Sequence, residues 1–256
     1  MNISLIQYDP RWEDVPYNLS YLSRMMEPLI GKTDMIILPE MFSTGFSMSV
    51  GQVVGQNKGT LSWMQQQAKK TGALVMGSIP VVDRYYYNRF YWVSPEGKNG
   101  YYDKHHLFSM SEESNLFTPG NKKQQFNYTG WEVMPIICYD LRFPAWCRNN
   151  LNLPYDLLVC SASWPSVRND VWMTLLKARA LENQCFVAGV NRIGKDVNGL
   201  EHNGNSVVFG PKGNMIGILP ENQEGIATFQ LSISELLDFR KKFPVLNDMD
   251  QFSFEQ

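Results

Sequence analysis

Histidine is scarce in this chain: among 256 residues there are only His105, His106 and His202. Cysteines in a C-x-x-C pair are absent, because Cys138, Cys147, Cys160 and Cys185 are widely spaced. Zinc ribbons and thioredoxin-like redox centres depend on such pairs and are disfavoured, so no metal site is expected. Long apolar runs are also absent; none approaches the ~20 residues that a bilayer requires. The first residues, Ile3 to Tyr8 followed by Asp9 and Pro10, lack the basic start and extended apolar stretch of a secretory signal. No sign of charge dominates, with 23 Lys and Arg against 25 Asp and Glu and a net charge of -2. Nucleic acids and membrane surfaces attract a basic excess, so neither is an expected partner. The pairs Lys69-Lys70, Lys122-Lys123 and Lys241-Lys242 are isolated and read as solvated surface. These absences predict a cytoplasmic protein whose thiols are free.

No Pro/Gly/Ser-rich linker, low-complexity segment or internal repeat interrupts the chain, which predicts one domain over 1–256. Hydrophobic residues make up 44% and aromatics 13%, enough for one large core. Strand-like runs (Ile3–Tyr8, Met35–Leu38, Ala73–Ile79, Asn88–Val93, Gly100–Asp103, Trp131–Cys138, Leu157–Ser161, Phe186–Asn191) alternate with helix-like ones. Tyr17–Leu29 has its leucines and methionines at helical spacing. Thr60–Thr71 reads as a helix with Thr60 as N-cap and Gly72 as its stop. Asn169–Asn183 reads as a strong helix burying Val171, Trp172, Leu175, Leu176 and Leu181. Pro144–Asn149 reads as the start of another. Late strands follow at Val207–Phe209, Met215–Leu219 and Ile226–Leu231. The turns Ser94–Gly97 and Gly210–Gly213 add antiparallel pairs, so an α/β fold of mixed sheets with outer helices is predicted. Phe108–Lys123 has the composition of a loop over a cleft. The polar tail after Phe239, with its scattered aromatics, suits packing against a partner subunit.

Three polar residues share one setting. Glu40 follows Met35-Ile-Ile-Leu-Pro39, Lys104 follows Gly100-Tyr-Tyr-Asp103, and Cys138 follows Met134-Pro-Ile-Ile137. Each stands where a strand ends, and strand ends are where crevices form in α/β sheets. Taken singly, Glu40 reads as well as a solvated loop acid, Lys104 as a surface lysine, and Cys138 as a small core residue like the other three cysteines. As a set they are chemically complete. A thiol with a pKa near about 8.5 is only slightly ionised at neutral pH. A carboxylate can take its proton, and an ammonium can hold the charge that develops on a carbonyl oxygen. The alternative is a cysteine–histidine pair using His105 or His106, which adjoin Lys104; no local cysteine-protease signature surrounds Cys138.

The segments Leu38-Pro-Glu-Met-Phe-Ser-Thr-Gly-Phe46, Tyr102-Asp-Lys-His-His-Leu-Phe108 and Ile137-Cys-Tyr-Asp-Leu-Arg-Phe143 resemble, in order, the three signature segments of the nitrilase superfamily of carbon–nitrogen hydrolases. Glu182-Asn-Gln184 and Ser206–Gly213 extend the resemblance over nearly the whole chain. The forms Glu40–Phe46 and Cys138–Pro144 look most like the ω-amidase branch, which hydrolyses 2-oxoglutaramate and 2-oxosuccinamate. The resemblance implies an αββα sandwich, dimerisation through the surface around the helix after the nucleophile with the sandwiches stacking further, and a small-molecule amide as substrate with no cofactor. It assigns Cys138 as nucleophile, Glu40 as general base and Lys104 as oxyanion-stabilising group. Tyr139 supplies a second oxyanion donor through its backbone N–H. Glu113 is the family's second glutamate, which positions substrate and water, with Glu112 the competing register.

For a 2-oxo acid, Arg142 is the candidate carboxylate partner, since a guanidinium binds a carboxylate bidentately; the competing reading is a structural bridge, with Asp140 a partner for it. Phe42, Phe46, Trp164 and Trp172 are candidates for the pocket wall, although the helix stripe that carries Trp172 favours core packing for it, and Asn191-Arg192 is a candidate for the cleft lining. Two other functions remain open at this stage: an N-carbamoyl amino acid hydrolase or aliphatic amidase, and a redox-sensing or interaction protein that retains the fold. The cluster of Glu40, Lys104, Glu113 and Cys138 argues against the second, because an unused buried acid and lysine would be costly.

Overall fold

The computed structural model describes residues 1–250 and Ser253. The chain begins with β1 (Asn2–Gln7), α1 (Val15–Met26), β2 (Met35–Ile37), α2 (Val50–Gln56), α3 (Thr60–Thr71), β3 (Leu74–Asp83), β4 (Tyr85–Val93) and β5 (Asn99–Asp103). A loop containing the single turn α4 (Glu113–Leu116) leads to β6 (Phe126–Tyr128), β7 (Trp131–Ile137), α5 (Pro144–Cys147), β8 (Leu157–Ala162), α6 (Asn169–Asn183) and β9 (Phe186–Asn191). The remainder forms β10 (Ile193–Lys195), β11 (Glu201–Asn203), β12 (Val207–Phe209), β13 (Met215–Ile218), β14 (Gly225–Gln230) and α7 (Ile233–Lys242).

Two six-stranded sheets result, ordered β14-β1-β2-β3-β4-β5 and β13-β12-β9-β8-β7-β6. In each, three consecutive strands are parallel: β1, β2 and β3 in one, β7, β8 and β9 in the other. The flanking pairs are antiparallel, so both sheets are mixed, as expected. Strand periodicity explains the layering. Ile3, Leu5, Met35, Ile37, Leu74 and Met76 enter a core shared with Val133, Leu157, Val159 and Val187 of the second sheet. The alternating residues Ile6, Ile36 and Val75 pack instead with Leu22 and Met26 of α1 and Met64 and Ala68 of α3. Helix α6 covers the far face of the second sheet through Trp172, Leu176 and Ala180. The order is therefore helices, sheet, sheet, helix.

Strand direction places the chemistry. Because β4 is antiparallel to β3 and β5 to β4, β5 runs the same way as β2 and β3. Glu40 and Lys104 thus leave the same edge of the first sheet. Cys138 and Ser163 leave the matching edge of the second, just past β7 and β8.

Some details differ from expectation. Leu181 is 47% exposed; it lies nine residues from Trp172, about 180° around a helix of 3.6 residues per turn. The buried stripe continues instead through Arg179 and Asn183: Arg179 Nη2 donates to Leu141 O at 2.6 Å and Asn183 Nδ2 to Arg179 O at 3.0 Å, while Arg179 Nε has no partner among the described residues. Thr60 is the first helical residue of α3, preceded by Gly59, and Gly72 does end the helix with φ +73°. Pro144 opens only a single turn. The tail after Phe239 continues α7 and then coils through Val245–Asp248; its last aromatics, Phe252 and Phe254, lie outside the described residues. No helix among the described residues is long and apolar enough to cross a membrane.

Trp172 is fully buried and its indole N–H donates to Asn205 O at 2.9 Å. Trp172→Ala should lower the unfolding free energy by about 3–5 kcal/mol, the usual loss for a buried aromatic. Urea denaturation checks this; a loss under ~1 kcal/mol would contradict the packing described.

Candidate active site

Lys104 is 1% exposed and lies directly between two carboxylates that are themselves buried. Its Nζ donates to Glu40 Oε1 at 2.8 Å and to both oxygens of Glu113, at 3.0 and 2.9 Å. The Asn88 amide reinforces the cluster, donating to Glu40 Oε1 at 2.8 Å and Glu113 Oε1 at 3.0 Å. Glu113 Oε2 also accepts from the Phe108 backbone N–H at 2.7 Å. Both Glu113 oxygens are therefore committed to Lys104 and its surroundings. Glu112 points away, accepting from Asn115 on the surface.

Glu40 is held differently. Its Oε2 accepts one backbone bond, from Ser163 N at 3.0 Å, and the carboxylate lies near enough to the Cys138 thiol for each to influence the other's proton. The thiol also faces the Ser163 carbonyl at 3.8 Å. Cys138 stands where β7 stops: its φ of +43° is a left-handed conformation, which costs a non-glycine residue about 1–3 kcal/mol. A tight turn from Cys138 to Arg142 follows. Asp140 pins that turn, accepting from Ile137 N at 3.1 Å, from the Tyr102 hydroxyl at 2.7 Å, and from His106 N at 2.8 Å. A single buried carboxylate thereby ties the nucleophile turn to the strand that carries Lys104.

Burial pushes the Glu40 carboxyl up; the Lys104 ammonium opposes this and the Glu113 charge adds to it, leaving Glu40 above the usual carboxylate range. Burial, and then the Glu40 charge, drive the Cys138 thiol well above its ordinary value, with Lys104 only partly offsetting them. Burial alone would lower Lys104, but Glu113 and Glu40 outweigh it and keep the ammonium charged. The resting site thus pairs a protonated thiol with a carboxylate of raised basicity, beside a permanent cation.

These groups open onto a cleft of about 60 Å³ walled by Phe46, Phe108, Tyr139, Trp164, Arg142 and Arg168, among others. Glu40, Lys104 and Cys138 line it, whereas Glu113 sits behind Lys104 and does not. Phe42, expected on the wall, is not there. It is completely buried in the core outside the first sheet, its ring 5.8 Å from that of Trp63 and against Gly77. Two residues after Glu40, the chain has already turned it inward. Asn191 and Arg192 also miss the cleft: Asn191 clamps Trp164, accepting from its N–H at 2.8 Å and donating to its carbonyl at 3.0 Å, and Arg192 pairs with Asp9 at 2.7 Å. Arg142 does not bridge to Asp140; its guanidinium lies 5.0 Å from the Trp164 ring and has no salt bridge among the described residues. His105 and His106 stack on Trp146 and Phe143 and contribute nothing to the cleft wall. All four cysteines are free, and three are buried. Among the described residues no cluster could hold a metal ion.

Sequence reasoning missed Asn88, Ser163, Arg168 and His202. Asn88, within β4, and Ser163, just past β8, are neutral residues with no motif to mark them. Arg168 and His202 come from loops and short strands distant in sequence from the three signature segments.

Residues 2–241 match the family model for carbon–nitrogen hydrolases. A protein named omega-amidase YafV from Escherichia coli strain K12 is 40% identical over 253 residues, covering 98% of each chain. One named 2-oxoglutaramate amidase, from Bacillus subtilis, is 33% identical and covers 96% of each. A solved structure of XC1258 from Xanthomonas campestris, described as a CN-hydrolase superfamily protein with an arsenic adduct in the active site, superposes with a TM-score of 0.95 at 38% identity, covering 100% of this chain and 99% of that one.

Removing the central cation should expose the cost of the buried acids. Lys104→Ala should destabilise the protein by about 3–5 kcal/mol near neutral pH, and by less at pH 5. Without the ammonium, burial raises the Glu40 carboxyl further, so acid can neutralise it. Urea denaturation at the two pH values reads this; an equal loss at both would contradict the charge balance described.

Proposed function

The chain belongs to the carbon–nitrogen hydrolase family, and from that premise we propose that it hydrolyses the ω-amide of a 2-oxo dicarboxylic acid, such as 2-oxoglutaramate or 2-oxosuccinamate. One observation carries the chemistry: Cys138, Glu40 and Lys104 meet at the floor of one narrow cleft. The substrate class is supported by the relatives named for ω-amide hydrolysis. It is also supported by two guanidiniums on the wall, Arg142 and Arg168, neither in a salt bridge among the described residues.

In this reading the Cys138 sulfur bonds to the amide carbonyl carbon as its proton passes to Glu40. A protonated, buried thiol cannot wait as a thiolate, so proton transfer accompanies attack. The carbonyl electron pair moves onto oxygen, where the Lys104 ammonium and the Tyr139 backbone N–H stabilise it. The C–N bond then breaks, Glu40 returns its proton to the departing nitrogen, and ammonia leaves a thioester on Cys138. Water attacks that carbon while Glu40 accepts its proton. The C–S bond breaks, the proton returns to sulfur, and the dicarboxylic acid departs. No cofactor takes part in this scheme. Glu113 holds Lys104 from behind rather than touching substrate. Arg142 binds the 2-oxo acid carboxylate, with Trp164 and Phe46 confining the short carbon chain.

We further propose that the active species is a cytoplasmic homodimer formed around α5, where Leu151 and Leu153, just beyond the helix, are 41% and 54% exposed.

Three measurements test the reading. Cys138→Ala should release no ammonia from 2-oxoglutaramate, whereas near-normal release would reject Cys138 as nucleophile. Arg142→Ala should raise KM for 2-oxoglutaramate by tenfold or more while leaving a neutral amide little affected; equal effects would remove Arg142 from carboxylate binding. The acid limb of kcat/KM should lie above the ordinary glutamate value of about 4.3, because Glu40 must be ionised to act and burial raises it. A limb at or below that value would argue against Glu40 as the base.

A further inference from the structure

Among the described residues, Ser163 is the one whose backbone hydrogen-bonds both the candidate nucleophile and the candidate base. Its N–H donates to Glu40 Oε2 at 3.0 Å, and its carbonyl faces the Cys138 sulfur at 3.8 Å. It sits immediately past β8, where the sheet ladder no longer fixes the chain. Two side chains hold it there. Asn191 clamps the following residue, Trp164, by two hydrogen bonds. The Ser163 hydroxyl itself meets His202 Nε2 at 3.3 Å.

His202 lies on β11, 3% exposed, on the cleft wall beside Asp196 and Leu200. We propose that His202 is a positioning residue: as a neutral acceptor for the Ser163 hydroxyl, it fixes the backbone that aligns Glu40 with Cys138. In this role the Ser163 hydroxyl donates its proton to Nε2, which carries the ring's lone pair, and the ring proton sits on Nδ1, which is buried with no hydrogen-bond partner among the described residues.

The charged groups around the ring favour this neutral form. Burial and then the Arg192 guanidinium lower its pKa, only partly offset by Asp196, to about 4. The contact therefore does not titrate where the enzyme works. A protonated ring would have no acceptor for Ser163.

The role rests on Glu40 and Cys138 acting as proposed above, but its test need not depend on the substrate. The rate of Cys138 alkylation by iodoacetamide, followed by peptide mass spectrometry from pH 5 to 9, reads the thiol–carboxylate alignment directly. Ammonia release from 2-oxoglutaramate reads catalysis. We expect Ser163→Ala and His202→Ala each to lower kcat about tenfold, the size of one lost hydrogen bond, with KM nearly unchanged and the alkylation pH profile displaced. The double variant should be no worse than either single one, because both break the same link. His202→Gln, whose amide oxygen can accept, should recover part of the loss, and thermal melting should show all four variants folded. Multiplying effects in the double variant, an unchanged alkylation profile, or a rise in KM alone would overturn the proposal. If the variants change alkylation as expected but no 2-oxo acid amide is hydrolysed by the wild type, the substrate reading fails and the positioning role stands.

Discussion

One buried ammonium sets the terms for the rest of this structure. Lys104 lies inside the protein against Glu40 and Glu113, with Asn88 closing the group. Taking two carboxylates and an ammonium out of water costs several kcal/mol per ion unless geometry and hydrogen bonding compensate. Here they do: every carboxylate oxygen in the cluster has at least one donor. The compensation must come from many parts of the chain, since the three charged residues lie beyond β2, beyond β5 and in the loop carrying α4. The edge where both sheets end is where a fold of this kind can bring them together.

The same arrangement separates the roles of two similar acids. Glu113 spends both oxygens on Lys104, Asn88 and Phe108, so it has little capacity left as a base. Glu40 retains capacity toward the thiol, and burial raises its proton affinity. The lysine opposes that rise. A thiol that rests protonated is protected from adventitious reaction, and the neighbouring carboxylate activates it when an electrophilic carbon arrives. The left-handed backbone at Cys138 and the Asp140 pin behind it hold the sulfur at the cleft floor.

Much of this was legible in the sequence. Alternating strand and helix signals led to mixed sheets with outer helices, the resemblance added the two-sheet sandwich, and the recurrent placement of Glu40, Lys104 and Cys138 after strands pointed to a crevice at strand ends. Position after a strand is a local property, so sequence can carry it. What failed was orientation. Phe42 looked like a wall residue because it neighbours Glu40, but Met41 adopts a left-handed φ of +46° and the following ring turns into the core. Leu181 looked buried because it is apolar, but its angular position on α6 faces solvent while Arg179 and Asn183 go inward to hold neighbouring backbone. Asn88, Ser163 and His202 were invisible for a related reason: each works through contacts set by sheet-to-sheet packing, which no short motif encodes.

The central claim is that an acyl group passes through the sulfur of Cys138. Rapid-quench mass spectrometry during turnover of 2-oxoglutaramate tests it most directly. The account predicts an acyl adduct on the Cys138 peptide, discharged by hydroxylamine as a thioester should be. An adduct on any other residue, or steady ammonia release after Cys138 has been completely alkylated, would contradict it.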